Sequence, residues 1–320
     1  MKWRKKMNYL KDYREGEKFV GTYLCKQKQI LKTKAGKTYY SLTLQDKTGT
    51  ADGKIWELNN GIANFEPMDY IHCEGMVTSF QGNLQMNISR VRISDEGEYD
   101  PADYVPCTNK DVGEMFSRIL KYVASVQNKY LRKILEMYFV ENKEFVDAFK
   151  KHSAAKSVHH GFMGGLLEHT LSVTDMCQYF AEHYPMIHRD LLITAALFHD
   201  MGKIQEISDF PMNDYTDDGQ LLGHIYIGAR CMENAAAQIP NFPPKLKNEL
   251  VHCILAHHGK MEFGSPKVPA IMEAMALHMA DNADAKLQTL TEVFTQAGDN
   301  MGWLGFNRMF ESNLRKTSEE

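Results

Sequence analysis

His199-Asp200-Met201-Gly202-Lys203 stands directly behind Leu191-Leu192-Ile193-Thr194-Ala195-Ala196-Leu197-Phe198. A run this apolar reads as a helix, and its C-terminal tip would carry an imidazole and a carboxylate inward. Charged groups in such a place need a compensating partner, and a cation supplies it. Histidine and aspartate recur at helix-compatible positions on both sides. His169 follows the apolar opening Gly164-Gly165-Leu166-Leu167-Glu168, His224 comes next, His257-His258 closes Val251 to Ala256, and Asp281 follows Ile271 to Ala280. A lone helical histidine is usually a surface or hydrogen-bonded core residue; the ordered set is what points to ligands.

The set holds enough nitrogen and carboxylate for two divalent ions. His169, His199, Asp200 and Asp281 are candidate ligands of one, and His224, His257 and His258 of the other, with Asp200 bridging through its two oxygens. Imidazole and carboxylate without thiolate suit Mn, Fe, Co, Ni or Zn better than calcium. The chemistry expected of such a pair is hydrolysis of a phosphate ester by a metal-activated water, with Asp200 at its centre. Lys203 lies one helical turn beyond Asp200 and is a candidate for neutralising a phosphate oxygen or helping the leaving group. Its competing reading is a solvated lysine capping a helix end.

The chain has 320 residues, 43% hydrophobic and 24% charged, which is room for two folded domains and speaks against disorder. The net charge of -4 hides an asymmetry: residues 1–98 carry 16 Lys+Arg against 12 Asp+Glu, leaving 21 against 29 for the rest. Lys2, Arg4, Lys5, Lys6 and Lys11 open the chain, and a polyanion would meet this half first. Six cysteines without a CxxC pair suggest neither a disulfide framework nor a thiolate zinc site. No apolar core follows the basic start and no apolar run approaches about 18 residues, so neither a signal peptide nor a membrane span is expected. A cytoplasmic protein is the resulting expectation.

Between Phe19 and Ile93 the texture is that of short strands, at 19–30, 37–46, 51–56, 70–80 and 84–93, which predicts a small five-stranded barrel. Tyr40, Leu42 and Leu44 alternate with Tyr39, Ser41, Thr43 and Gln45, giving one apolar and one mainly polar face. Asp95-Glu96-Gly97-Glu98-Tyr99-Asp100-Pro101 breaks the pattern. The domains expected are therefore 1–98, a linker at 99–110, and an all-α domain at 111–320. Helices are placed near 111–126, 128–139, 142–150, 164–183, 189–200, 221–238, 245–258 and 268–296.

The series His, His-Asp, His, His-His, Asp with its HDxGK motif resembles the HD superfamily of metal-dependent phosphohydrolases over roughly residues 150–290. A basic five-stranded barrel resembles an OB-fold, a platform on which aromatics stack on bases and lysines follow the backbone of single-stranded nucleic acid. Tyr23, Tyr39, Trp56 and Phe80 are the stacking candidates, with core packing as the competing reading for each; Trp56 is placed in the core. Lys26, Lys28, Lys32, Lys34, Lys37 and Arg90 are the phosphate candidates, with a solvated hairpin competing at Lys34 and Lys37.

An OB-like barrel ahead of an HD domain, with Ala154-Ala155-Lys156-Ser157, His159-His160 and Gly164 to Thr170 before the HD pair, is similar to the YhaM-type 3'-to-5' exoribonucleases. The resemblance implies manganese-stimulated removal of nucleotides from single-stranded RNA, sometimes DNA, with release of nucleoside 5'-monophosphates. Lys156 and His160 become candidates for holding a substrate phosphate. The alternatives are an HD phosphohydrolase acting on a small nucleotide, with the barrel serving assembly, and an RNA-binding adaptor without activity. A homo-oligomer is left open: Trp303, Leu304, Phe306 and Phe310 are expected to pack on their own domain, with a neighbouring copy as the alternative.

Overall fold

A computed structural model describes residues 8–80, 82–156 and 160–318. The basic opening Lys2, Arg4, Lys5 and Lys6, together with Ser157 and His159, lies outside the described residues. Two compact units are present: Met1–Cys107 with Phe210–Met212, and Thr108–Asp209 with Asn213–Glu320.

The first unit is a closed barrel of β1 (Lys18–Lys32), β2 (Thr38–Asp46), β3 (Gly49–Ile55), β4 (Tyr70–Phe80) and β5 (Asn83–Ile93), joined in the order β1-β2-β3-β5-β4. This is the OB-like barrel that the strand spacing predicts. β1 closes it by pairing with β4 through its first half and with β2 through its second, the register shifting between Cys25 and Gln27. Phe19, Tyr23, Leu42, Leu44, Ile55, Phe65 and Ile71 fill the interior. A Cβ at Gly75 would stand 2.0 Å from the Asn87 carbonyl oxygen and 2.8 Å from the Phe19 ring. Only glycine lets β4 and β5 close at that irregularity.

Two expectations change here. Trp56 is 40% exposed rather than core. Ile55 points inward with no exposure, so the next residue points outward by the two-residue period of a strand. The stretch read as a linker is packed: Tyr99 stacks on Tyr70 at 4.0 Å, and Tyr104 and Val105 are buried.

The second unit is helical: α1 (Val112–Ser125), α2 (Lys129–Glu136), α3 (Lys143–Lys151), α4 (Gly165–His183), α5 (Arg189–Phe198), the short α6 (Lys203–Glu206), α7 (Asp217–Ala237), α8 (Pro244–Ala256) and α9 (Met272–Gln296). A π-type turn over Met137–Glu141 follows α2. Every residue of α5 from Leu191 to Phe198 is buried. A helix apolar on all sides belongs in the middle of a bundle, and α5 packs against α2, α4, α8 and α9. Asn128, Asn142 and Thr216 cap α2, α3 and α7 through their side chains. Trp303 and Phe306 are 69% and 66% exposed, so the expected packing on their own domain is absent for these two. Among the described residues no helix is long and apolar enough to cross a membrane.

Phe198 is fully buried, with its ring 5.3 Å from Tyr138 and 5.4 Å from Phe139. Phe198→Ala should destabilise the helical unit by about 3–5 kcal/mol. Denaturant unfolding followed by the far-ultraviolet helix signal checks this; an unchanged midpoint would show that the bundle does not depend on α5.

Candidate metal centre

The buried end of α5 puts His199 and Asp200 inside the helical unit, 0% and 2% exposed. Around Asp200 four other segments contribute side chains: His169 from α4, His224 from α7, His257 and His258 from the end of α8, and Asp281 from α9. Their arrangement is divided by the two carboxylate oxygens. Oδ2 of Asp200 lies 3.3 Å from His169 Nε2 and 3.4 Å from His199 Nε2, and Asp281 Oδ1 is 3.2 Å from the same His169 nitrogen. Oδ1 lies 3.6 Å from His224 Nε2 and 3.7 Å from His257 Nε2. His169, His199 and Asp281 form one set of converging ligand atoms, and His224, His257 and His258 another.

Each of the five imidazoles has its Nδ1 engaged behind it. Asp284 Oδ2 accepts from His169 at 2.7 Å and Glu206 Oε1 from His224 at 2.9 Å. The carbonyl oxygens of Ala196, Ile254 and Phe263 accept from His199, His257 and His258 at 2.8, 2.6 and 2.8 Å. A proton fixed on Nδ1 leaves Nε2 with its lone pair facing the centre, the tautomer a metal ligand needs. The fit can be tested on the polar atoms themselves: Asp200 Oδ1, His224 Nε2 and His257 Nε2 are buried without a hydrogen-bond partner. Orphaned acceptors that converge are satisfied by a cation. The donor set fits a divalent ion in both halves.

The electrostatics agree. Burial alone would push the Asp200 carboxyl up, but the Lys203 ammonium and the imidazoles of His199 and His169 outweigh it and hold it well below the carboxylate range. Asp281 is held low against burial by His169 and His199, and Asp284 by His160 and His169. Burial keeps His257 and His258 below the usual imidazole range, so they stay neutral. Burial opposes charge on His169 as well, yet Asp200, Asp281 and Asp284 lift it well above that range. The carboxylates demand a positive charge, and without an ion a proton on His169 is what they recruit.

The motif is also a packing unit. A Cβ at Gly202 would stand 2.1 Å from the His224 carbonyl oxygen, so only glycine admits α7 this close to Asp200. Gly223 interrupts α7 at φ 71° and turns the next residue inward, where Glu206 accepts from both the backbone N–H and Nδ1 of His224. Lys203 Nζ is 2.7 Å from Asp200 Oδ2, with its side chain 13% exposed, which is not the solvated cap considered above.

Among the remaining candidates, His160 joins a third converging group with His169 and Asp284. His160 is buried and its Nε2 bonds Asp284 Oδ2 at 2.9 Å, so it shares a carboxylate with His169 instead of offering that nitrogen to a phosphate. Lys156 is paired with Asp214 at 2.6 Å. In the barrel, Tyr39 stacks on Trp56 with centroids 4.6 Å apart, Lys37 pairs with the exposed Glu57 at 3.2 Å, and Lys34 is exposed. Tyr23 is core and Phe80 is 61% exposed. Sequence reasoning missed Asp284 and Glu206. Asp284 follows Asp281 by one helical turn, a spacing that puts both on one face of α9; that was the available signal.

The HD domain model matches residues 166–286, the span that holds the whole ligand set. The 3'-5' exoribonuclease YhaM of Bacillus subtilis (strain 168) is 32% identical over 262 residues, covering 80% of this chain and 81% of its own. That of Listeria innocua serovar 6a is 32% identical over 293 residues, covering 89% and 90%. The chain belongs to the YhaM family. Family membership covers both units, and the enzyme is accordingly a nuclease of the HD hydrolase class. The second OB-fold domain of replication protein A from Methanococcus maripaludis matches 29% of this chain and all of that domain, at 19% identity and a TM-score of 0.23.

Two outcomes are expected. Asp284→Ala should lower divalent metal affinity by roughly 10- to 100-fold, since His169 loses the acceptor that fixes its tautomer; calorimetric titration with Mn2+ checks it, and unchanged affinity would remove Asp284 from the centre. Ion binding must also displace the proton that His169 holds at its raised pKa. Apparent affinity should therefore rise with pH, by about tenfold per unit while one proton is released. Titrations at several pH values that gave one affinity would contradict this.

Proposed function

We propose that this chain is a metal-dependent 3'-to-5' exoribonuclease that shortens single-stranded RNA, and also single-stranded DNA, to nucleoside 5'-monophosphates. The observation that carries the metal-dependent part is the division of ligand atoms between the two oxygens of one buried carboxylate. Directionality and the RNA substrate rest on the relatives' named activity over nearly their whole length. Two divalent ions, Mn2+ first among the candidates, would be held by His169, His199, Asp200 and Asp281 and by His224, His257 and His258, with Asp200 between the two groups. When bound, such ions lower the pKa of a coordinated water and neutralise charge on a phosphoryl group.

The chain's own residues do the rest. Asp284, Glu206 and three backbone carbonyls keep five imidazoles in the one tautomer that faces inward. Lys203 keeps a positive charge beside Asp200, where it would offset charge on a phosphate oxygen. Burial of Asp200 and His257 excludes bulk water and makes each of these interactions stronger than it would be in solution. His160 is assigned to positioning, through the carboxylate it shares with His169. The six cysteines are free, as a reduced cytoplasm would keep them, and this is the location that goes with the proposal.

Digestion of 5'-labelled single-stranded RNA with Mn2+ should give a ladder that shrinks one nucleotide at a time. Asp200→Asn should lower the rate by roughly 100- to 1,000-fold, the scale of one lost electrostatic group. Full-length RNA alongside hydrolysis of a mononucleotide or cyclic dinucleotide would replace this reading with a small-nucleotide phosphohydrolase.

A further inference from the structure

The helix α9 runs for 25 residues, from Met272 to Gln296, and both of its sides are apolar. The inward side carries Asp281 and Asp284 to the histidines of the metal centre, with Ala274, Leu277 and Ala280 fully buried beside them. The outward side repeats that apolar character, which a helix at a surface does not require. Met272, Met275, Met279 and Leu287 are 41–60% exposed, and Leu290 and Phe294 continue the stripe half-buried. The acidic residues between Met272 and Leu290 are Glu273, Asp281 and Asp284. Glu273 and Asp284 are buried and Asp281 faces His169, which leaves Lys286 as the outward charge over that length. Methionine enrichment with charge depletion is the composition of an interface core and not of a solvated surface.

The order of residues in the stripe identifies what covers it. From Met272 the outward positions step by 7, 4, 4 and 7, to Met279, Ala283, Leu287 and Phe294. Steps of 4 and 7 stay on one face of a helix, and this series reads the same in either direction from Ala283. A second copy of α9, turned end for end about a two-fold axis at Ala283, brings Met279 level with Leu287 and Met272 level with Phe294, each pair occurring twice. Such self-complementarity is what an isologous interface requires. The residue at the axis is also small, and a small residue at a crossing lets two helices approach to about 8 Å, the close end of the usual range. The face is about 33 Å long and about 12 Å wide, so each copy offers about 400 Å² in projection. Side chains standing in relief raise the accessible area above the projection, and the pair reaches the scale of about 1,000 Å² at which specific interfaces begin.

We infer that two copies of the chain pair through α9, antiparallel and two-fold symmetric about Ala283. Asp281 and Asp284 point away from the shared face, so each copy keeps its own metal centre and the two centres lie on opposite sides of the helix pair. The pairing is independent of the substrate proposed above. Its modest area puts it among associations that dissociate on dilution.

Sedimentation velocity of the full chain at rising concentration should show a single chain giving way to a species of twice its mass. Ala283→Glu sets two like charges against each other at the axis and should weaken self-association by roughly 100-fold or more, with the far-ultraviolet helix signal of the monomer unchanged. Cysteine cross-linking reads direction and register, with the unsubstituted chain, whose six cysteines are buried or half-buried, as control. Under mild oxidation Ala283→Cys should form a covalent dimer with itself. Met272→Cys should not, because its two copies stand about 33 Å apart in the antiparallel pair, but Met272→Cys mixed with Phe294→Cys should. A chain that stays monomeric at every concentration, an association that Ala283→Glu leaves intact, or a Met272→Cys chain that cross-links to itself as readily as Ala283→Cys would overturn the inference. The RNA ladder reads a different site, so failure of either reading leaves the other standing.

Discussion

A carboxylate enclosed by protein and faced by imidazole nitrogens is the constraint on which the helical unit is organised. Asp200 is 2% exposed, and a side chain so placed cannot exchange its partners for water. It arrives there because α5 is apolar on every side and takes the centre of the bundle, which leaves the tip of that helix in the interior. Burial then dictates the chemistry around it. An anion in that place is stable only beside a cation, and nitrogens with inward lone pairs suit a divalent metal ion. Lys203 supplies one charge, and the ligand geometry asks for more.

The orienting groups follow from the same constraint. An imidazole offers its lone pair at Nε2 only if something accepts a proton from Nδ1. For His199 and His257 that acceptor is a carbonyl of their own helix, and for His258 it is Phe263 in the turn after α8. His169 and His224 are served by Asp284 and Glu206. This divides the candidate ligands into those oriented by a backbone carbonyl and those oriented by an additional carboxylate. Those additional carboxylates are also the residues that the linear motif does not advertise.

What the sequence discloses, and what it withholds, tracks this division. The strands and helices were legible because their apolar residues repeat at two or at three to four positions, and the ligand series was legible because histidines behind long apolar runs are conspicuous. Asp284 and Glu206 were not, since an acidic residue on an amphipathic helix looks like any solvated one until the register shows which face it shares. Trp56 was assigned to the core, whereas the parity of Ile55 decides its direction. Lys156 and His160 were singled out from their place ahead of α4, which does not show what they pair with. Their partners, Asp214 and Asp284, are 58 and 124 residues away.

An acidic catalytic half is an awkward partner for a polyanion if its carboxylates face solvent, and the excess of Asp and Glu beyond residue 98 suggests that they do. Yet Asp200, Asp281, Asp284 and Glu206 are committed to imidazoles and an ammonium inside the unit. With divalent ions bound, this cluster would change from a net anion to a site that attracts phosphate. The barrel has the opposite economy: its turn lysines remain exposed.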